Sequence, residues 1–130
     1  MDSNIKALWI SALKSGDYAQ GKHSLNNKGK FCCLGVLCDL AAKAGAIVEP
    51  EVYREDENED GFLGDVYSYD GEINMLPRSV MEWAGLSNNS GILPAHWIEH
   101  EGVQIDSLWE LNDLAEYAFN QIAEVIEEQF

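Results

Sequence analysis

A chain of 130 residues with 46% hydrophobic residues, 24% charged residues and four tryptophans has the size and apolar content of one globular domain. No apolar run approaches the roughly 20 residues of a membrane span, and MDSNIKALWISALK has neither the basic start nor the cleavage site of a secretory signal, so a cytoplasmic protein is expected. Eight basic residues against 23 acidic ones give a net charge of −15, which excludes a footprint for free nucleic acid, disfavours a membrane surface and favours a basic protein partner.

In chain order, Ile5, Leu8, Trp9, Ala12 and Leu13 recur at helical spacing, with Asp2 or Ser3 as a cap and Ser15-Gly16 as a stop. DYAQGKHSLNNKGKF is polar and glycine-punctuated, and Asn27-Lys28-Gly29 suggests a turn between two short extended pieces. FCCLGVLCDLAAKAG is apolar on nearly every side up to Ala42, the mark of a buried helix, with Gly45 at its end. EPEVYREDENEDG, residues 49–61, reads as an acidic surface loop. Asp70-Gly71 reads as the turn of a hairpin that joins Val66–Tyr69 to Glu72–Met75. Pro77 opens a short helix that Gly85 ends. Ser107 and Glu110 match a capping box ahead of Leu108, Leu111 and Leu114. A break near Asp113–Tyr117 separates that helix from a last one carrying Phe119, Ile122, Ala123 and Ile126. The four tryptophans are expected in the core. The sum is α+β: four to five helices around a small antiparallel sheet or hairpin, in one compact domain spanning residues 1–130.

The charge is unevenly placed. Residues 1–45 hold six lysines against three aspartates, a balance of +3, and residues 46–130 hold two arginines against 20 acids, a balance of −18. An anionic small ligand is therefore expected in the N-terminal third, and a basic protein on the rest. Tyr18, Gln20, Gly21, Lys22, Ser24, Asn26, Lys28 and Lys30 offer a ring, amides, a hydroxyl, ammonium groups and a glycine for close backbone approach. Those are the groups that read a small polar or phosphorylated ligand. The stretch lacks any Walker or dinucleotide signature, and no cofactor is implied. Asn112, followed by Asp113, is a helix-end tie or a further ligand contact.

Three other groupings bear on chemistry. Cys32, Cys33 and Cys38 are three thiols within seven residues, which suits reduced cytosolic cysteines better than a disulfide framework. Cys32 sits where an extended piece enters a helix, the layout of a cysteine hydrolase, with His23, His96 or His100 as a base; core packing is the stronger reading. His96 and His100 are spaced to grip a metal if helical. Asp56, Asn58, Asp60 and Gly61 match the opening of a calcium loop, but Tyr67 stands where the bidentate glutamate belongs. No metal is therefore assigned, and calcium at Asp56, Asn58 and Asp60 is the weak candidate.

The run of a Trp-containing first helix, SGDYAQGKHSL, FCCLGVLCDLA, LPRSVMEWAGL, SLWELND and FNQIAEVI resembles a family of small proteins in tailed phages and some bacteria. The resemblance implies a phage accessory protein in the bacterial host cytosol. By analogy with such proteins it implies an antagonist of antiphage defence. One form sequesters a nucleotide-derived signal and is expected to be a homo-oligomer. A second is an acidic nucleic-acid mimic that blocks a basic host nuclease through Glu55, Asp56, Glu57 and Glu59. A third is a cysteine-dependent hydrolase. A non-enzymatic binder leads these expectations.

Overall fold

The computed structural model describes residues 1–57 and 63–130. Among the described residues five α-helices surround a five-stranded mixed sheet and a separate two-stranded one, so the fold is α+β. α1 (Ser3–Lys14) starts at Asp2, whose carboxylate accepts from the amides of Asn4 and Ile5 at 2.9 and 3.0 Å. Ile5, Trp9 and Leu13 lie at successive turns on one face and are the residues it buries.

α2 (Cys33–Lys43) is the centre of the core. Cys33, Leu34, Val36, Leu37, Cys38 and Ala41 are buried, which is the outcome of apolar residues all round the helix. The Trp9 indole donates to the Cys33 carbonyl at 3.0 Å, so the largest buried side chain satisfies its one polar atom on α2. Gly35 is imposed by packing. A Cβ there would stand 1.7 Å from the Leu25 carbonyl oxygen, so only glycine lets the segment leading into the Asn26–Asn27 strand lie directly on the helix.

The large sheet holds β1 (Ala19–Gln20), β2 (Asn26–Asn27), β3 (Lys30–Phe31), β4 (Glu51–Glu57) and β5 (Leu63–Ser68), in the order β1-β3-β2-β5-β4. The expected turn at Asn27-Lys28-Gly29 joins β2 to β3, with Lys28 and Gly29 at φ 58° and 83°. Two expectations are corrected. β1 pairs with β3 in parallel, so the sheet is not purely antiparallel. Much of the acidic stretch 49–61 is the edge strand β4 rather than a loop, because its residues ladder with β5 from Glu51↔Ser68 to Glu57↔Leu63.

The Asp70-Gly71 turn forms, with φ values of 49° and 86°. The hairpin closes by a single bridge, Tyr69 to Glu72, and its second arm leaves to let the Ile73 carbonyl accept from Leu25 at 2.7 Å. α3 (Arg78–Ala84) follows Pro77 and ends at Gly85 in the left-handed conformation. β6 (Ile98–His100) and β7 (Val103–Ile105) make the small sheet. His96 and His100 therefore do not share a helix, because the chain between them is extended. Trp97 is 52% exposed and Trp83 and Trp109 are half-buried, so only Trp9 meets the expectation of a core tryptophan in full.

α4 (Leu108–Asp113) and α5 (Phe119–Gln129) are separated where the sequence predicts. The capping box at Ser107 does not form; its hydroxyl donates to the Glu110 carboxylate at 2.7 Å and caps no amide. α5 lies along α1, burying Phe119, Ile122, Ala123, Val125 and Ile126.

Candidate ligand site

The polar segment after α1 is drawn against the α4–α5 turn by a dense seam. Gln20 uses its whole amide there: Nε2 donates to Asn112 Oδ1 at 2.9 Å and to the Tyr117 carbonyl at 2.8 Å, and Oε1 accepts from the Phe119 amide at 3.2 Å. Asn112, 1% exposed, is equally committed. Its Nδ2 donates to the Gly21 carbonyl at 2.9 Å and to Asp113 Oδ1 at 2.8 Å, and its Oδ1 also accepts from the Cys33 amide at 3.3 Å. One asparagine thus ties together β1, the first turn of α2 and the end of α4. Asp113 Oδ2 accepts from the His23 amide at 3.0 Å and faces its Nδ1 at 3.4 Å. Lys22 donates to Glu116, and this ammonium holds the Glu116 carboxyl below the usual carboxylate range.

Tyr18 points elsewhere. Its hydroxyl donates to Asp39 Oδ2 at 2.5 Å and accepts from Lys43 Nζ at 3.1 Å, and its ring meets Phe31 edge-on at 5.0 Å. Burial first, then the hydrogen bond to Asp39, pushes its phenol above the ordinary range. Ser24 is buried. Of the nine candidate ligand residues, Gln20 and Asn112 brace the seam, Tyr18 braces β1 against α2, Ser24 lies inside, and Asn26 is buried with its Nδ2 donating to the Tyr69 hydroxyl at 3.2 Å and its Oδ1 accepting from the Gly29 amide at 3.0 Å.

Gly21, Lys22, Lys28 and Lys30 remain together. With Asn27 they line a groove of about 320 Å³. Among the described residues, the ammonium groups of Lys28 and Lys30 engage no hydrogen bond or ion pair, although Lys28 is half-buried. Asn27 Oδ1 is buried without a hydrogen-bond partner, an uncommon state for a polar atom. Gly21 is required at this point, since a Cβ there would stand 2.8 Å from the Lys30 Cβ. The wall is thus cationic and closely approachable, in a chain whose net charge is −15.

The thiols present the opposite of a nucleophile's environment. Cys32 caps α2, its Sγ accepting from the Gly35 amide at 3.4 Å, and burial pushes the thiol up to about 12. Cys33 and Cys38 are raised by the same cause, whereas a reactive cysteine needs a lowered value. All three are free and buried. Of the calcium candidates, Asp56 falls on β4, while Asn58 and Asp60 lie outside the described residues. Among the described residues no cluster of His, Cys, Asp or Glu is placed to hold a metal, and no helix is long and apolar enough to cross a membrane.

The seam brings QG and LND together from some 90 residues apart in sequence, and one family model covers both. That model, a domain of unknown function (DUF8296), matches residues 1–130. The chain belongs to the DUF8296 family. No curated protein and no solved structure matches it. Sequence reasoning on this DUF8296 chain missed Asn27 and Glu116 as site residues. The lone signal for Asn27 was its place in the Asn27-Lys28-Gly29 turn, and Glu116 carried none.

Proposed function

We propose that this DUF8296 protein is a phage-type accessory protein, a non-enzymatic binder that antagonises antiphage defence by sequestering a small nucleotide-derived signal. The observation that carries the reading is the groove lined by Lys22, Lys28 and Lys30, in which the ammonium groups of Lys28 and Lys30 have no protein partner among the described residues. Ammonium groups are point donors suited to phosphate, and a groove of about 320 Å³ lies at the small end of ligand sites. The buried, raised thiols favour binding over covalent catalysis. Native mass spectrometry of protein purified from bacterial cells reads oligomer mass and bound ligand together. An added mass of several hundred daltons that disappears in K28E/K30E supports the reading. A bare wild-type protein that shows no melting shift with cyclic dinucleotides, ADP-ribose or pyrophosphate overturns it.

A second reading has its own observation. The acidic residues Glu55, Asp56 and Glu57 fall on β4, an edge strand of the large sheet, and a charged edge strand suits a basic partner. Neutralising them together with Glu59 abolishes defence antagonism if the protein acts as a nucleic-acid mimic, and leaves it intact if the lysine groove acts.

A further inference from the structure

Two grooves meet at Gly21 and Lys22. One carries Lys28 and Lys30; the other, about 330 Å³, is lined by Gln20, Asn112, Glu116 and Tyr117. Adjacent through these two shared lining residues, they suit a ligand with two chemically different ends. We propose that the second groove is the ring-recognition half of the same site, and that it takes a nucleobase carrying an exocyclic amino group. The inference rests on the lysine groove as the phosphate half.

The chemistry of the second groove is set by what the seam leaves over. The Gln20 and Asn112 amides are already committed within the protein. What remains is one carboxylate, Glu116, and one aromatic ring, Tyr117, half-buried and held by the edge contact of His100 at 5.7 Å. A ring face stacks on any planar base, and a carboxylate accepts from an exocyclic amino group. A base without an amino group at that position leaves the carboxylate unmatched.

Glu116 pairs with Lys22, and both side chains are exposed, at 71% and 39%. Such a pair is screened by water and exchanges easily. When the ligand's phosphate takes the Lys22 ammonium, the freed Glu116 carboxylate accepts the ligand's N–H. Each charged group trades an internal partner for one on the ligand.

The test uses isothermal titration of the full chain with three probes: inorganic pyrophosphate, adenosine diphosphate, and purine-riboside diphosphate, which lacks the 6-amino group. Wild type is expected to bind all three, with adenosine diphosphate about tenfold tighter than its deamino analogue. Glu116→Ala is expected to bind pyrophosphate at least as well as wild type, because Lys22 is freed, and to lose the tenfold preference. Tyr117→Leu is expected to weaken both nucleotides and leave pyrophosphate unchanged. Equal affinity of wild type for the two nucleotides, or a preference that survives in Glu116→Ala, overturns the inference while leaving the phosphate half in place. Failure of wild type to bind pyrophosphate overturns both.

Discussion

Two polar regions flank Gly21, and they differ in what their side chains have left to offer. On the side of α4, Gln20, Asn112 and Asp113 form a seam whose amides and carboxylate meet partners within the chain. On the side of the β2–β3 turn, Lys28 and Lys30 have no protein partner among the described residues, and the side-chain Oδ1 of Asn27 is buried without one. Residue type alone does not separate these regions, since Gln20, Asn112, Lys28 and Lys30 read alike in the sequence as ligand groups. Hydrogen-bond saturation separates them. A buried, saturated amide is a brace because any ligand contact would break a bond already made. An unpaired ammonium on a groove has nothing to lose.

The most severe way to break the comparison is to remove the frame on which both regions stand. Gly35 lets the Leu25 segment lie on α2, and that segment leads directly into β2. Gly35→Ala would force a methyl into the Leu25 carbonyl, and backbone on both sides must move. The expected loss is about 4 kcal/mol or more, at the exceptional end for a point change. Circular dichroism during urea unfolding reads it; a midpoint close to wild type would mean that α2 and the loop are not packed as described.

Asn112→Ala strikes the saturated side alone. It strands the Cys33 amide and the Gly21 carbonyl in the interior and releases one bond of Gln20. The expected cost is about 3 kcal/mol, from buried groups left without partners. Asn112→Asp keeps the acceptor but loses both donations and adds a charge at a 1%-exposed position, so it should be no better. If either variant melts like wild type yet fails to bind anions, Asn112 is a ligand contact and the division proposed here is wrong.

Much of the fold was legible because periodicity and punctuation speak locally. The 3.6-residue spacing of Ile5, Trp9 and Leu13, the all-apolar α2, the Asp70-Gly71 turn and the α4–α5 break each depend on neighbours in sequence. The acidic β4 was hidden because its charges lack strand alternation, and only its ladder with β5 makes it a strand. The parallel β1–β3 pair was hidden because it is made by backbone bonds between two-residue strands, too short to show any side-chain alternation. The site was half legible. Lysine enrichment and Gly21 point to the groove from composition and close approach. The sorting of Gln20 and Asn112 into braces depends on contacts more than 90 residues apart, which no local pattern records.

The thiols give a pH test of the saturated interior. Cys32 has a folded value of about 12 against an ordinary value near 9.0, because burial disfavours the thiolate. Below about pH 9 both folded and unfolded chains hold the proton, and this contribution is complete. Between about 9 and about 12 the unfolded chain releases the proton and the folded chain does not, so stability falls as pH rises. Cys33 and Cys38 are shifted in the same direction and deepen the decline. Iodoacetamide at pH 8 should accordingly label no cysteine in the native protein and all three in urea. Rapid native labelling of Cys32 would reveal an accessible thiolate and restore the hydrolase reading.

The smallest structural effect should accompany the largest functional one. Lys30 is exposed and its ammonium touches no protein partner among the described residues, so Lys30→Ala removes none of the bonds described. A surface change of this kind is expected to move stability by no more than about 0.5 kcal/mol. The same change removes one of three cations from the anion groove, and removal of positive charge there weakens phosphate binding without disturbing the seam. Lys28→Gly separates fold from binding further. At φ 58° lysine occupies a conformation that glycine adopts without strain, so losing the side chain should leave the melting temperature level or slightly raised while pyrophosphate affinity falls about tenfold. Differential scanning fluorimetry beside pyrophosphate titration reads both quantities on one sample. A variant that loses stability and affinity together would place Lys28 among the braces; one that keeps both would leave the groove without a role for its half-buried cation.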